Sequence, residues 1–111
     1  MRRSAGTANP LLVVGRLELD PSRLAVSWQG RNVDLPRREF ALLWSLMESP
    51  GRVVTRDTLQ QRLYGWDEDV ASNAVDVHVH HIRRRLPPTL IRTVRGVGFA
   101  LDEAVAADAA T

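Results

Sequence analysis

Hydrophobic and polar positions along this chain follow first a short alternation, then a spacing of three to four residues, then alternation again. Residues 1–11 come before any period. They are small and polar and include a proline, as a linker does. From Leu12 to Leu35, four short apolar runs (Leu12-Val13-Val14, Arg16 to Leu19, Leu24 to Trp28 and Asn32 to Leu35) are separated by Gly15, Asp20-Pro21-Ser22 and Gln29-Gly30. Those separators are turn chemistry, so this stretch predicts a small antiparallel meander. Residues 37–49 predict a helix with a broad apolar face: Phe40, Leu43 and Met47 form the stripe, Leu42 and Leu46 widen it, and Ser49-Pro50-Gly51 stops it. Val53-Val54 fits a short strand. Thr55 is suited to cap a second helix running to about Leu63. A loop over 64–72 carries the acidic run Asp67-Glu68-Asp69. Ser72 then caps a third helix, about 73–86, ended by Pro87-Pro88. Leu90 to Val94 and Phe99 to Leu101 predict the arms of a hairpin with Arg95-Gly96-Val97-Gly98 at its tip. Residues 103–111 are expected to fray. Strands, three helices and a hairpin give an α+β class, without the alternation that makes a parallel sheet.

The third helix divides cleanly at 100° per residue. Val75, Val79, Ile82 and Leu86 fall in one sector and form the buried seam. Opposite them lie Asn73, Val77, His80, His81 and Arg84; Ala74, His78 and Arg85 flank one side, Asp76 and Arg83 the other. A base-reading face uses such types: Arg for guanine, Asn for adenine, an apolar group for the thymine methyl. An ordinary solvated face also fits. The hairpin adds Arg92, Thr93 and Arg95 beside a two-glycine tip that could approach a phosphate backbone, and strand period puts Thr93 and Arg95 on one face. A plain solvated hairpin is the competing reading.

Charge and composition change this picture mostly by exclusion. The 111 residues suffice for one core, and the net charge of +2 alone argues for no partner. All 15 basic residues are Arg, which suits phosphate and guanine edges but also follows from a GC-rich genome. Without Lys there is no Schiff-base lysine, and without Cys no disulfide and no thiolate metal site. No apolar run reaches the roughly 18 residues of a membrane span and no secretory signal is read, so the expected location is cytoplasmic. Neither a G-x-S-x-G nor a P-loop occurs, and no enzyme is expected. His78 and His81 are spaced to share a helix face, but His80 points away and Asp76 is the only nearby carboxylate in sequence, so no metal or other cofactor is expected.

Several motifs occur in order: L-P-R-R-E-F-A-L-L at 35–43, P-G-R-V-V-T-R at 50–56, A-V-D-V-H-V at 74–79, I-R-R-R-L at 82–86 and I-R-T-V-R-G-V-G-F at 91–99. Together they resemble the C-terminal effector domain of OmpR/PhoB-type response regulators of two-component systems, over about residues 15–101. Leu63 to Asp67 followed by Ser72 to Val75 looks most like the QseB/PmrA branch. The resemblance implies a winged helix-turn-helix over 12–102, with an N-terminal four-stranded antiparallel sheet, three helices and a C-terminal β-hairpin wing. Residues 1–11 would be an interdomain linker remnant and 103–111 a disordered tail. It implies sequence-specific binding of duplex DNA, with helix 73–86 in the major groove and wing 91–101 at the minor groove. Asn73, Val77, His80, His81 and Arg84 would reach bases or nearby phosphates. Positions matching His78 and Arg83 can touch the backbone, and Thr93 and Arg95 match wing contacts.

The implied partners are promoter DNA in tandem half-sites, RNA polymerase, a receiver domain of the same parent chain that is absent here, and a sensor kinase acting on that receiver. The loop residues Tyr64, Trp66, Asp67, Glu68 and Asp69 correspond to the polymerase-contact loop, and a winged helix used mainly to bind protein is the alternative reading. Two positions depart from the family. Pro36 replaces a capping Thr, which removes the capping box with Glu39 at a cost of ~0.5–2 kcal/mol. Tyr64 stands where Trp is common.

Overall fold

The alternating N-terminal third folds into four short strands, β1 (Leu12–Val14), β2 (Leu17–Asp20), β3 (Ala25–Trp28) and β4 (Arg31–Val33), in that order in one antiparallel sheet. The computed structural model describes residues 11–65 and 73–107. Register follows the pleat: Leu17 and Leu19 of β2 are buried while Glu18 between them is exposed, and Leu19 pairs with Val26. Gly15 turns β1 into β2 with φ +58°, and a Cβ there would stand 2.4 Å from the backbone oxygen of Ala106. That approach is used: the Arg16 N–H donates to the Ala106 carbonyl at 2.8 Å.

Helix α1 (Arg37–Met47) buries Phe40, Leu42, Leu43, Leu46 and Met47. Its start has no side-chain cap, as Pro36 predicts, and the Phe40 N–H reaches the Pro36 carbonyl at 2.8 Å. After the Gly51 turn, β5 (Val54–Thr55) leads into α2 (Arg56–Tyr64), whose Thr58 N–H is accepted by the Thr55 hydroxyl at 3.1 Å. Helix α3 (Ala74–Arg83) turns Val75, Val79 and Ile82 inward. It stops three residues before Leu86, because the Arg84 and Arg85 N–H groups bond three residues back and tighten the end. Leu86 still reaches the core from that turn. A single 3-10 turn, Pro88–Leu90, precedes β6 (Ile91–Val94) and β7 (Gly98–Leu101).

The C-terminal sheet has three strands in the order β5-β7-β6, so the segment before α2 anchors the hairpin from the side. Helix α1 packs on α2, α3, β1 and β7, and one hydrophobic cluster runs through both sheets and the helices. The tail expected from residue 103 is corrected over 103–107, which form α4 (Glu103–Ala107). The Asp102 carboxylate accepts from the N–H groups of Ala104 and Val105 at 3.0 and 3.2 Å, capping an Ala-rich segment that favours helix. Ala106 is buried against the β1–β2 turn. The architecture is the expected winged helix-turn-helix, with α2 and α3 as the helix pair and β6–β7 as the wing.

Candidate nucleic-acid interface

The seam derived for α3 is the buried one, so its opposite face is turned outward. Asn73, Val77, His80, His81 and Arg84 are all exposed. Val77, at 39%, is the only large apolar side chain of α3 exposed to that degree. Asn73 occupies the N-cap position without making a side-chain cap bond; its carbonyl accepts from the Val77 N–H at 3.0 Å. On the wing, Arg92, Thr93 and Arg95 are exposed. Among the described residues, Arg84, Arg92 and Arg95 form no ion pair. Asp76, the carboxylate nearest to this surface in sequence, is spent elsewhere. It takes the Arg56 guanidinium at 3.0 Å, joining α3 to α2, while the same guanidinium lies 4.9 Å from the Phe99 ring of β7.

Two of the expected DNA-facing residues are tied into the fold. Arg83 is half-buried and donates to the Ile91 carbonyl at 2.6 Å and the Thr93 hydroxyl at 2.8 Å, while its buried Nε has no hydrogen-bond partner among the described residues. It braces α3 against β6. His78 is also half-buried, set between the Tyr64 hydroxyl (2.6 Å to Nε2) and the Glu39 carboxylate (2.5 Å to Nδ1). Arg85 donates to the Asp34 carbonyl at 2.8 Å and so pins the end of α3 to the segment between β4 and α1.

Glu39 is the residue that the sequence reading missed. It is 3% exposed, and the same oxygen that meets His78 also meets Nδ1 of His81 at 2.9 Å. Burial alone pushes its carboxyl up, but hydrogen bonds from His78 and His81 outweigh burial and hold it below the ordinary value of 4.5. A signal was present: Glu39 stands three, four and seven residues before Leu42, Leu43 and Leu46, so helical phase placed it on the buried stripe. The ligand atoms of Glu39, His78 and His81 lie within 4.8 Å of one another, a spacing that a divalent cation could use, but the two hydrogen bonds to the carboxylate already account for their convergence.

The wing tip differs from expectation in one respect. Gly96 has φ +75° and open space around it, as a tip glycine should. Gly98 is buried in β7, where a Cβ would stand 2.0 Å from the Val54 carbonyl oxygen, so its smallness serves the β5–β7 contact and not an approach to phosphate. Tyr64, expected in the loop, ends α2, with the Arg38 guanidinium 3.9 Å over its ring. Trp66, Asp67, Glu68, Asp69 and the expected cap Ser72 lie outside the described residues.

Comparison with known proteins agrees with the fold. Residues 30–101 match the family described as transcriptional regulatory protein, C terminal. The response regulator protein PmrA of Pseudomonas aeruginosa is 53% identical over 102 residues, covering 92% of this chain and 46% of that protein. The transcriptional regulatory protein QseB of Escherichia coli O157:H7 is 48% identical over 103 residues, covering 93% and 47%. The chain thus spans about half the length of these relatives. The DNA-binding domain of RstA from Klebsiella pneumoniae, solved in complex with the RstA box, superposes with a TM-score of 0.75 at 32% identity, covering 84% of this chain and 97% of that one.

Proposed function

The chain belongs to the transcriptional regulatory protein C-terminal family, as an OmpR/PhoB-type output domain of the PmrA/QseB branch, and on that premise we propose that it binds promoter DNA through α3 and the β6–β7 wing. The observation that carries this reading is the outward face of α3: Asn73, Val77, His80, His81 and Arg84 exposed together, beside exposed Arg92 and Arg95. A helix of this diameter fits the major groove of B-DNA, and its exposed types suit base edges there. Thr93 and Arg95 then lie at the adjacent minor groove. Arg83 and His78 act chiefly by holding the reading surface, given the bonds they make within the fold. The complex solved for the RstA domain supports the same use of the same architecture.

In the longer parent protein, a phosphorylated receiver domain would pair two such units on tandem half-sites about one helical turn apart. A sensor kinase would act on that receiver. The segment from Tyr64 to Asp69 would face RNA polymerase, its acidic run matching a basic surface. The test is an amide-resolved titration with a promoter fragment at low salt. Shifts across 73–84 and 92–98 are expected; shifts confined to 64–72 would replace this reading with one of protein binding.

A further inference from the structure

We propose that buried Glu39 sets what His81 reads, by holding its ring in the tautomer whose outward nitrogen is a bare hydrogen-bond acceptor. The inference rests on the DNA-binding reading and adds to it the class of base group that His81 meets. An ionised carboxylate can only accept hydrogen bonds. The Glu39 Oε2 stands 2.5 Å from Nδ1 of His78 and 2.9 Å from Nδ1 of His81, so each of those nitrogens carries a hydrogen. In the neutral form of either ring, which has only one N–H, Nε2 is then a lone pair.

For His78 that lone pair is met inside the fold by the Tyr64 hydroxyl at 2.6 Å. Among the described residues, nothing bonds Nε2 of His81. Its side chain is 49% exposed and lines an open groove with Pro36, Arg84 and Arg85. The opposite tautomer would set the Nδ1 lone pair of His81 against an ionised oxygen at 2.9 Å, replacing a hydrogen bond with a repulsion at a buried carboxylate.

An outward acceptor has a narrow choice in the major groove. It pairs with the exocyclic amino groups, N6–H₂ of adenine or N4–H₂ of cytosine. It finds no partner in guanine O6 and N7, thymine O4 or a phosphate oxygen. Arg84, three residues on and also exposed, is a donor only and prefers the opposite set. Positions at the end of α3 and just past it thus read complementary edges, and the complement is fixed from beneath by a residue on α1 that never touches DNA. Glu39 is a positioning residue and His81 the specificity residue.

Two measurements on the parent chain decide this. The first is a long-range ¹⁵N–¹H correlation of the histidine rings in the free protein at pH 7.5. The neutral ring of His81 is expected as the Nδ1–H tautomer; a dominant Nε2–H form overturns the proposal. The second begins with selection of bound sequences by the parent and by His81→Ala, which identifies the base pair whose preference depends on His81. At that pair, removing the exocyclic amino group is expected to weaken the parent about three- to tenfold and His81→Ala not at all. Replacing the purine N7 by carbon should leave both unchanged, and the reverse pattern overturns the proposal.

In Glu39→Gln, which keeps the size of the side chain, the Nδ1–H signature of His81 and the amino-group dependence should both weaken. Parent-like behaviour in both removes the positioning role. Should that variant not fold, the two parent measurements decide without it. A parent that enriches no sequence sinks the DNA-binding reading and the base assignment together, whereas enrichment with N7 dependence sinks the inference alone.

Discussion

The two wing glycines, alike in sequence, should respond very differently to a single added methyl. In Gly98→Ala the new Cβ would stand 2.0 Å from the Val54 carbonyl oxygen and 2.8 Å from the Thr55 Cα. These are backbone atoms, so no rotamer change relieves the clash. Reaching even 3.4 Å from that oxygen requires a shift of about 1.4 Å between β5 and β7. Overpacking of this kind costs about 1–3 kcal/mol where side chains can give, and a backbone wall puts this site at the upper end. The shift also moves Thr55, which pairs with Gly98 and caps α2 through the bond to Thr58 N–H, a contact worth ~0.5–2 kcal/mol. A loss of about 3 kcal/mol is expected, a large share of the 5–15 kcal/mol typical of a small domain.

Gly96→Ala meets nothing within 4 Å and carries only the cost of a left-handed backbone at φ +75°, about 1–2 kcal/mol. Urea unfolding followed by far-UV circular dichroism measures both. With m values of roughly 1–3 kcal/mol/M, the Gly98→Ala midpoint should fall by about 1–3 M and that of Gly96→Ala by markedly less. A Gly98→Ala chain within about 1 kcal/mol of the parent, or the less damaged of the two, would refute the assignment of Gly98 to the β5–β7 contact.

Arg83→Ala should loosen the wing more than the helix: hydrogen exchange at 91–94 is expected to speed up more than at 75–82, because the lost bonds end on Ile91 and Thr93. Glu39 has its carboxyl lowered, so the unfolded chain binds its proton first on acidification. Its contribution is full above the unfolded value near 4.5 and drains as pH falls through the lower folded value. Glu39→Gln should therefore flatten that acid limb of a stability–pH curve, and an unchanged limb would contradict the shift. Arg84→Ala should weaken binding to the cognate site by ~1–3 kcal/mol and relax base preference in a selection experiment. Arg95→Ala should weaken all sequences alike and reduce the slope of log K against log salt by about 1, read from affinities at several ionic strengths.

What the sequence made legible was whatever depends on local period. The seam Val75, Val79, Ile82 and the outward set opposite it follow from 100° per residue, and the structure exposes every member of that set. The four N-terminal strands follow from turn residues, and the Thr55 cap from its position before a helical run. What stayed hidden depends on contacts between distant residues. Glu39 meets its histidines 39 and 42 positions away, and its one local clue was a polar residue in phase with Leu42, Leu43 and Leu46. Gly98 read as a tip residue because nothing in G-V-G says that β5 will lie against it. Residues 103–107 read as tail because Asp102 was not recognised as a cap and the Gly15 turn was not known to receive Ala106.

These hidden contacts share a consequence for recognition. Reading base edges requires side chains held to a fraction of an ångström, yet the groups that touch DNA must themselves be free of partners before binding. The fold meets both demands by dividing the polar residues of one helix. Asp76, His78, Arg83 and Arg85 are committed inward, to Arg56, to Glu39 and Tyr64, to β6, and to the segment before α1 respectively. Among the described residues, Asn73, His80 and Arg84 make no such bond, and His81 spends one ring nitrogen and keeps the other. The inward set ties α3 to α1, α2 and β6, so on the proposed reading the helix and the wing would meet the double helix together. On that reading, specificity would depend also on residues such as Glu39 and Arg83, which a list of DNA contacts alone would omit.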